Sequence, residues 1–84
     1  MGKYEELLTR IRSGTSDANI PFNDLCQLMH RLGFDERIRG SHHIFRKQGI
    51  EERINLQSDG NKAKPYQVRQ VRGILVRYKL GESK

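Results

Sequence analysis

Apolar side chains recur every three to four residues in three stretches of the chain, and every second residue in three others. Tyr4, Leu7, Leu8 and Ile11 stand at i, i+3, i+4 and i+7. They make one stripe and predict a helix over 3–12, ended by Ser13-Gly14. Residues 15–20 are polar without a period and read as a loop, and Pro21 stops any helix from running through it. Leu25, Leu28, Met29 and Leu32 repeat the helical spacing. Asn23 stands where an N-cap would accept free N–H groups, and Asp24 suits the positive helix end. Gly33 fits the left-handed position after the last turn. Cys26 and His30 lie beside this stripe and read as a semi-core and a surface residue.

The period then changes. Residues 34–39 alternate, with Phe34, Glu36 and Ile38 on one face and Asp35, Arg37 and Arg39 on the other. Gly40 allows a tight return, 41–47 form a second strand, and Gln48-Gly49 signals a turn. A third strand spans 53–57, with Ile54 and Leu56 on one face. Ser58-Asp59-Gly60-Asn61 is a turn by composition. A last helix starts near Pro65, which the first helical position tolerates. Its apolar face is Val68, Val71, Ile74, Leu75 and Tyr78, with Arg69, Arg72 and Lys79 on an exposed arc.

The order is α-α-β-β-β-α. Strands joined by tight turns cannot hold parallel crossovers, which need a dozen or more residues. The sheet is therefore an antiparallel meander, with helices covering one face. This is a small α+β fold, and its α-β-β-β-α part has the layout of a double-stranded-RNA-binding domain.

Charge sharpens the picture. The 84 residues carry 16 Lys+Arg and 10 Asp+Glu, a net charge of +6. Residues 1–42 hold six of each sign, so the whole excess lies in 43–84. A basic half points first to a polyanion, of which nucleic acid is the commonest. The single cysteine, Cys26, excludes a disulfide framework and a multi-cysteine zinc site, and fits a reducing compartment. No apolar run reaches signal-peptide or membrane-span length, so a cytoplasmic protein is expected.

Candidate chemistry concentrates in Arg39-Gly40-Ser41-His42-His43-Ile44-Phe45-Arg46-Lys47. A histidine titrates near neutral pH and can pass a proton to or from a ribose 2′-OH or a leaving oxygen. Neighbouring Arg and Lys stabilise charge developing on a phosphate. Equally, a histidine pair in a strand can be surface decoration or packed imidazole. The three histidines have no zinc spacing, since adjacent strand residues His42 and His43 point to opposite faces. No phosphate-binding glycine motif is present. Glu51-Glu52 reads as a solvated loop edge. Lys62-Ala63-Lys64-Pro65-Tyr66 precedes a helix N-terminus, where N–H groups and the dipole favour an anion. In double-stranded-RNA-binding domains such lysines meet phosphates; here they are also ordinary loop residues.

Gly40-Ser41-His42 followed by Phe45 resembles the glycine-serine-histidine strand motif of HicA toxins. The leucine-rich helix leading to Leu32-Gly33-Phe34, the short third strand and the final Val/Ile/Leu-rich helix match as well, over roughly 20–80. The resemblance implies one HicA-like domain over 1–84, with a core of about 20–80 and an additional N-terminal helix of about 3–13. It implies an mRNA interferase that blocks translation, with His42 catalytic, and a HicB-like antitoxin that covers this histidine. Arg39, Ser41, His43, Arg46, Lys47, Lys62, Lys64, Tyr66 and Arg69 are then the candidate RNA-binding residues. This chemistry requires no metal and no cofactor. Many members carry a proline and a second histidine after the third strand. Here Gln57-Ser58-Asp59 stand there, so no role of that histidine carries over. Regular alternation puts His42 with Ile44, opposite Phe45, unless Gly40-Ser41 introduces a bulge. The competing readings are a non-catalytic RNA-binding module of the same fold, and a protein-interaction subunit whose open sheet face meets an acidic partner.

Overall fold

The computed structural model describes residues 2–81. Its elements are helix α1 (Lys3–Ser13), helix α2 (Phe22–Arg31) and strands β1 (Asp35–Arg39), β2 (His42–Arg46) and β3 (Ile54–Leu56). A small hairpin of β4 (Ser58–Asp59) and β5 (Lys62–Ala63) follows, then helix α3 (Pro65–Arg77). β1, β2 and β3 form an antiparallel meander in that order. The α+β class and the α-β-β-β-α arrangement therefore hold, with α1 added in front.

The register shows why the sheet has two unlike faces. Phe45 pairs with Glu36 and Ile54, and His43 pairs with Ile38 and Leu56. Directly opposed residues share a face. Phe45, Ile54 and Leu56 are fully buried and join Leu25, Leu28 and Met29 of α2 and Val68, Val71 and Leu75 of α3 in one core. Ile11 and Leu8 bring α1 into the same cluster. The opposite face presents Arg39, His42, Ile44, Arg46 and Asn55, and among the described residues no helix covers it.

Two glycines set the strands' positions. At Gly33, φ is +95°, and the N–H groups of Gly33 and Phe34 bond the carbonyls of His30 and Met29. This paired closure ends α2 and aims the chain into β1. At Gly40, φ is +59°, and Arg39 pairs directly with His42. The β1–β2 connection is thus a two-residue hairpin with glycine first, and no bulge intervenes.

Three expectations need correction. The residue preceding α2 is Pro21, in extended conformation, and Asn23 lies inside the first turn. A distant group satisfies the helix start instead: the Phe22 N–H bonds the Asn61 carbonyl at 3.0 Å. The segment read as a simple turn after the third strand is the β4–β5 hairpin. Lys62 bridges Pro21, and the Ala63 N–H bonds the Ile20 carbonyl at 2.8 Å. The third strand is also shorter than expected, at Ile54–Leu56.

The loop before α2 is tied to α3 by charge. Arg72 donates two parallel bonds to Asp17, Nη1 to Oδ1 at 2.8 Å and Nη2 to Oδ2 at 3.2 Å, and Nη1 also reaches the Ile11 carbonyl. The Arg72 bond holds the Asp17 carboxyl below its ordinary value of 3.8, against an opposing desolvation effect. A lowered folded value means the contribution is present above the ordinary value and is lost as pH falls through the folded one. Asp17→Asn is therefore expected to lower the melting temperature at neutral pH. The gap to the parent should narrow as pH falls below the ordinary carboxyl value of 3.8, in melts followed by circular dichroism. A gap independent of pH would contradict this role.

Candidate active site and nucleic-acid interface

Strand alternation without a bulge decides where the two histidines go. His42 lies on the open face, exposed, directly across from Arg39. Its Nδ1 is 3.2 Å from Asn55 Oδ1 on β3. With the amide oxygen as acceptor, Nδ1 donates, and the neutral imidazole then presents its lone pair at Nε2. Nε2 has no partner among the described residues.

A polar chain runs from the hairpin to α3. Gln57 Nε2 donates to Ser41 Oγ at 2.9 Å, and Lys64 Nζ donates to Gln57 Oε1 at 3.3 Å. The Gln57 N–H bonds Oε1 of Gln67, a buried polar residue of α3, at 3.0 Å. Gln67 Nε2 reaches the Tyr66 hydroxyl at 3.5 Å, and the Tyr66 ring is exposed. Thus the Gln57 side chain joins Lys64 to Ser41, the neighbour of His42, and its backbone is linked through Gln67 to Tyr66.

Four arginines line the open face, from Arg39 opposite His42 to Arg46 and Arg53 toward the other end of β2. Arg37, Arg39, Arg46 and Arg53 border a groove with Ile44, Asp35 and Glu36. None of the four has an ion pair among the described residues. Arg37 and Arg53 were not among the sequence candidates. The alternation Asp35, Arg37, Arg39 carried the signal for Arg37, whereas Arg53 joins the groove only through the β2–β3 register.

Other candidates lie elsewhere. His43 faces the helices: its Nδ1 sits 2.5 Å from Glu36 Oε2, and its ring meets Phe22 edge-on. Lys47 lies five residues along from His42, about 17 Å at strand rise, and on the helix side, over Gly33. Arg69 turns toward Asp17, with Nη1 3.9 Å from Oδ2. Lys62 is exposed on β5, opposite Asp59. Glu52, read as a solvated edge, accepts from the Tyr78 hydroxyl at 2.6 Å and from Arg77 at 2.9 Å.

Beneath the sheet, Glu36 also bonds His30 Nε2 at 2.7 Å. Burial opposes its ionisation, but the bonds to His43 and His30 outweigh this and hold the carboxyl below its usual range. Burial, with Glu36 nearby, pushes the Cys26 thiol up to about 12. Among the described residues no helix is long and apolar enough to cross a membrane.

Neither a curated protein nor a solved structure matches the chain. The family described as HicA toxin of bacterial toxin-antitoxin matches residues 22–79, from the first residue of α2 to just past the end of α3. That span holds the whole sheet and the Ser41-His42-Asn55-Gln57-Lys64 constellation, and leaves α1 outside. The chain belongs to the HicA toxin family of bacterial toxin–antitoxin systems.

Proposed function

We propose that this toxin is an endoribonuclease that cuts mRNA on its open sheet face, with His42 as general acid or base. The observation that carries the reading is His42 itself: exposed, oriented by Asn55, with Nε2 free and an arginine directly opposite. Nε2 takes the proton of a ribose 2′-OH, the 2′-oxygen attacks phosphorus, and the P–O5′ bond breaks. The 5′-oxygen takes a proton from water, the products are a 2′,3′-cyclic phosphate and a 5′-hydroxyl, and Nε2 gives its proton to the hydroxide left behind. Arg39, nearest His42 across the strand pair, stabilises the charge gathering on the phosphate oxygens. Arg37, Arg46 and Arg53 hold the flanking backbone, and Lys64 and Tyr66 guide the strand at the other side of the histidine. Ser41 is held by Gln57 and keeps the hairpin in place. The same exposed face is where we place a HicB-like antitoxin: acidic side chains over the arginines would hide His42.

Expressing the protein alone, without its antitoxin, tests this. Growth arrest with loss of intact mRNA is expected. Normal growth with intact mRNA would overturn the reading.

A non-catalytic RNA-binding module is the second reading, favoured by the same unpaired arginines. Both readings predict binding that weakens with salt. Arg39→Ala and Arg46→Ala are each expected to reduce the slope of log affinity against log salt by about 0.7, the single-strand value per phosphate contact. Filter binding at several salt concentrations checks this, and an unchanged slope would remove that arginine from the interface. Only the ribonuclease reading predicts cut RNA.

A further inference from the structure

On the helix side of the sheet, opposite His42, three elements bring together a set of side chains that RNA cleavage does not use. α2 supplies Cys26 and His30, one turn apart on the same side of the helix. β1 supplies Glu36 and β2 supplies His43. The Cys26 Sγ, a Glu36 carboxylate oxygen and a His43 ring nitrogen all lie within 4.8 Å of one another. Cys26 is buried, and Glu36 and His43 are largely so. Phe22 packs edge-on against His43 at 4.9 Å, and Phe45 against His30 at 5.6 Å. A carboxylate between two imidazoles is satisfied without the thiol. Yet the thiol stands in the same cluster and makes no hydrogen bond among the described residues.

We propose that Cys26, Glu36 and His43 form a binding site for a divalent transition metal of the zinc class. Thiolate, imidazole and carboxylate together suit zinc rather than magnesium or calcium, which take oxygen donors. Ligands at about 2.0–2.3 Å around a tetrahedral ion are roughly 3.3–3.8 Å apart, so atoms as much as 4.8 Å apart close in by about 1–1.5 Å, while His43 Nδ1 and Glu36 Oε2, now 2.5 Å apart, separate by about 1 Å. Three protein ligands leave the fourth position to water. His30 keeps its bond to the other Glu36 oxygen and orients the carboxylate, as outer partners of metal ligands do. On binding, the thiol proton leaves to solvent, and His43 carries its remaining proton on Nε2 with Nδ1 toward the metal. No oxidation occurs. The ion would pin α2 to β1 and β2 beneath the catalytic strand.

Cobalt(II) titration of the tag-free protein tests this, with zinc added as competitor. One equivalent is expected to give a thiolate-to-cobalt charge-transfer band and the strong visible bands of a tetrahedral ion, both abolished by zinc. Cys26→Ser should lose the charge-transfer band. His30→Ala should keep it while binding about 10–100-fold more weakly. Absence of the band in the parent protein overturns the proposal, whatever the variants do. So does cobalt binding that Cys26→Ser does not weaken. Neither failure touches the assignment of His42, which lies on the other face.

Discussion

His42→Ala is expected to lower single-turnover RNA cleavage by about 10²–10⁴-fold while RNA affinity stays within a few-fold of the parent. The size follows from what a positioned acid or base contributes to a proton-transfer step. It corresponds to about 3–5.5 kcal/mol of transition-state stabilisation. Affinity is retained because Arg37, Arg39, Arg46 and Arg53 do not depend on the imidazole for their places. Stability is also retained: His42 is exposed and, among the described residues, its hydrogen-bond partner is Asn55 alone, so truncation opens no cavity. Surface changes of this kind stay within about 0.5 kcal/mol. The variant thus separates binding from chemistry. A folded His42→Ala protein that cuts at the parental rate would move the reaction to another residue.

Phe45→Ala is expected to cost about 3–5 kcal/mol, the range for removing a buried aromatic ring and leaving a cavity. Phe45 is fully buried in the middle of β2, between Glu36 and Ile54, with the His30 ring against it. A domain of this size has roughly 4–13 kcal/mol in all. The variant should therefore unfold at much lower urea, and toxicity should fall with the folded population. Ile44, one step along the same strand, lies on the open face. Ile44→Ala should cost about 1 kcal/mol or less, since half-exposed apolar groups lose little transfer energy. Urea midpoints of the two variants check this. Equal losses would mean that β2 does not have the two unlike faces described here.

Local chemistry made much of this legible. Periodicity located all three helices because each buries a stripe, and Gly33 and Gly40 marked turns that need positive φ. Alternation placed Arg39 with Arg37, and His42 with Ile44, once no bulge intervened. What stayed hidden depends on pairing between distant segments. The start of α2 is satisfied by the Asn61 carbonyl, forty residues along the chain, so the nearby Asn23 was a misleading cap. β4 and β5 have two residues each, too few for a period to show. Asn55 becomes the partner of His42 only through the β2–β3 register. Gln57 joins Ser41 to Lys64 only because the sheet end meets the start of α3. Cys26 and Glu36 join His43 only when α2 folds over the sheet.

The nature of the RNA ends tests the central claim most directly. The purified protein is incubated with a labelled RNA, and the fragments are identified by mass spectrometry. Proton transfer by His42 with attack of the neighbouring 2′-oxygen predicts fragments ending in 2′,3′-cyclic phosphate and beginning with 5′-hydroxyl, and none from the His42→Ala protein. Fragments with 5′-phosphate, or RNA left intact by the parent protein, would contradict it.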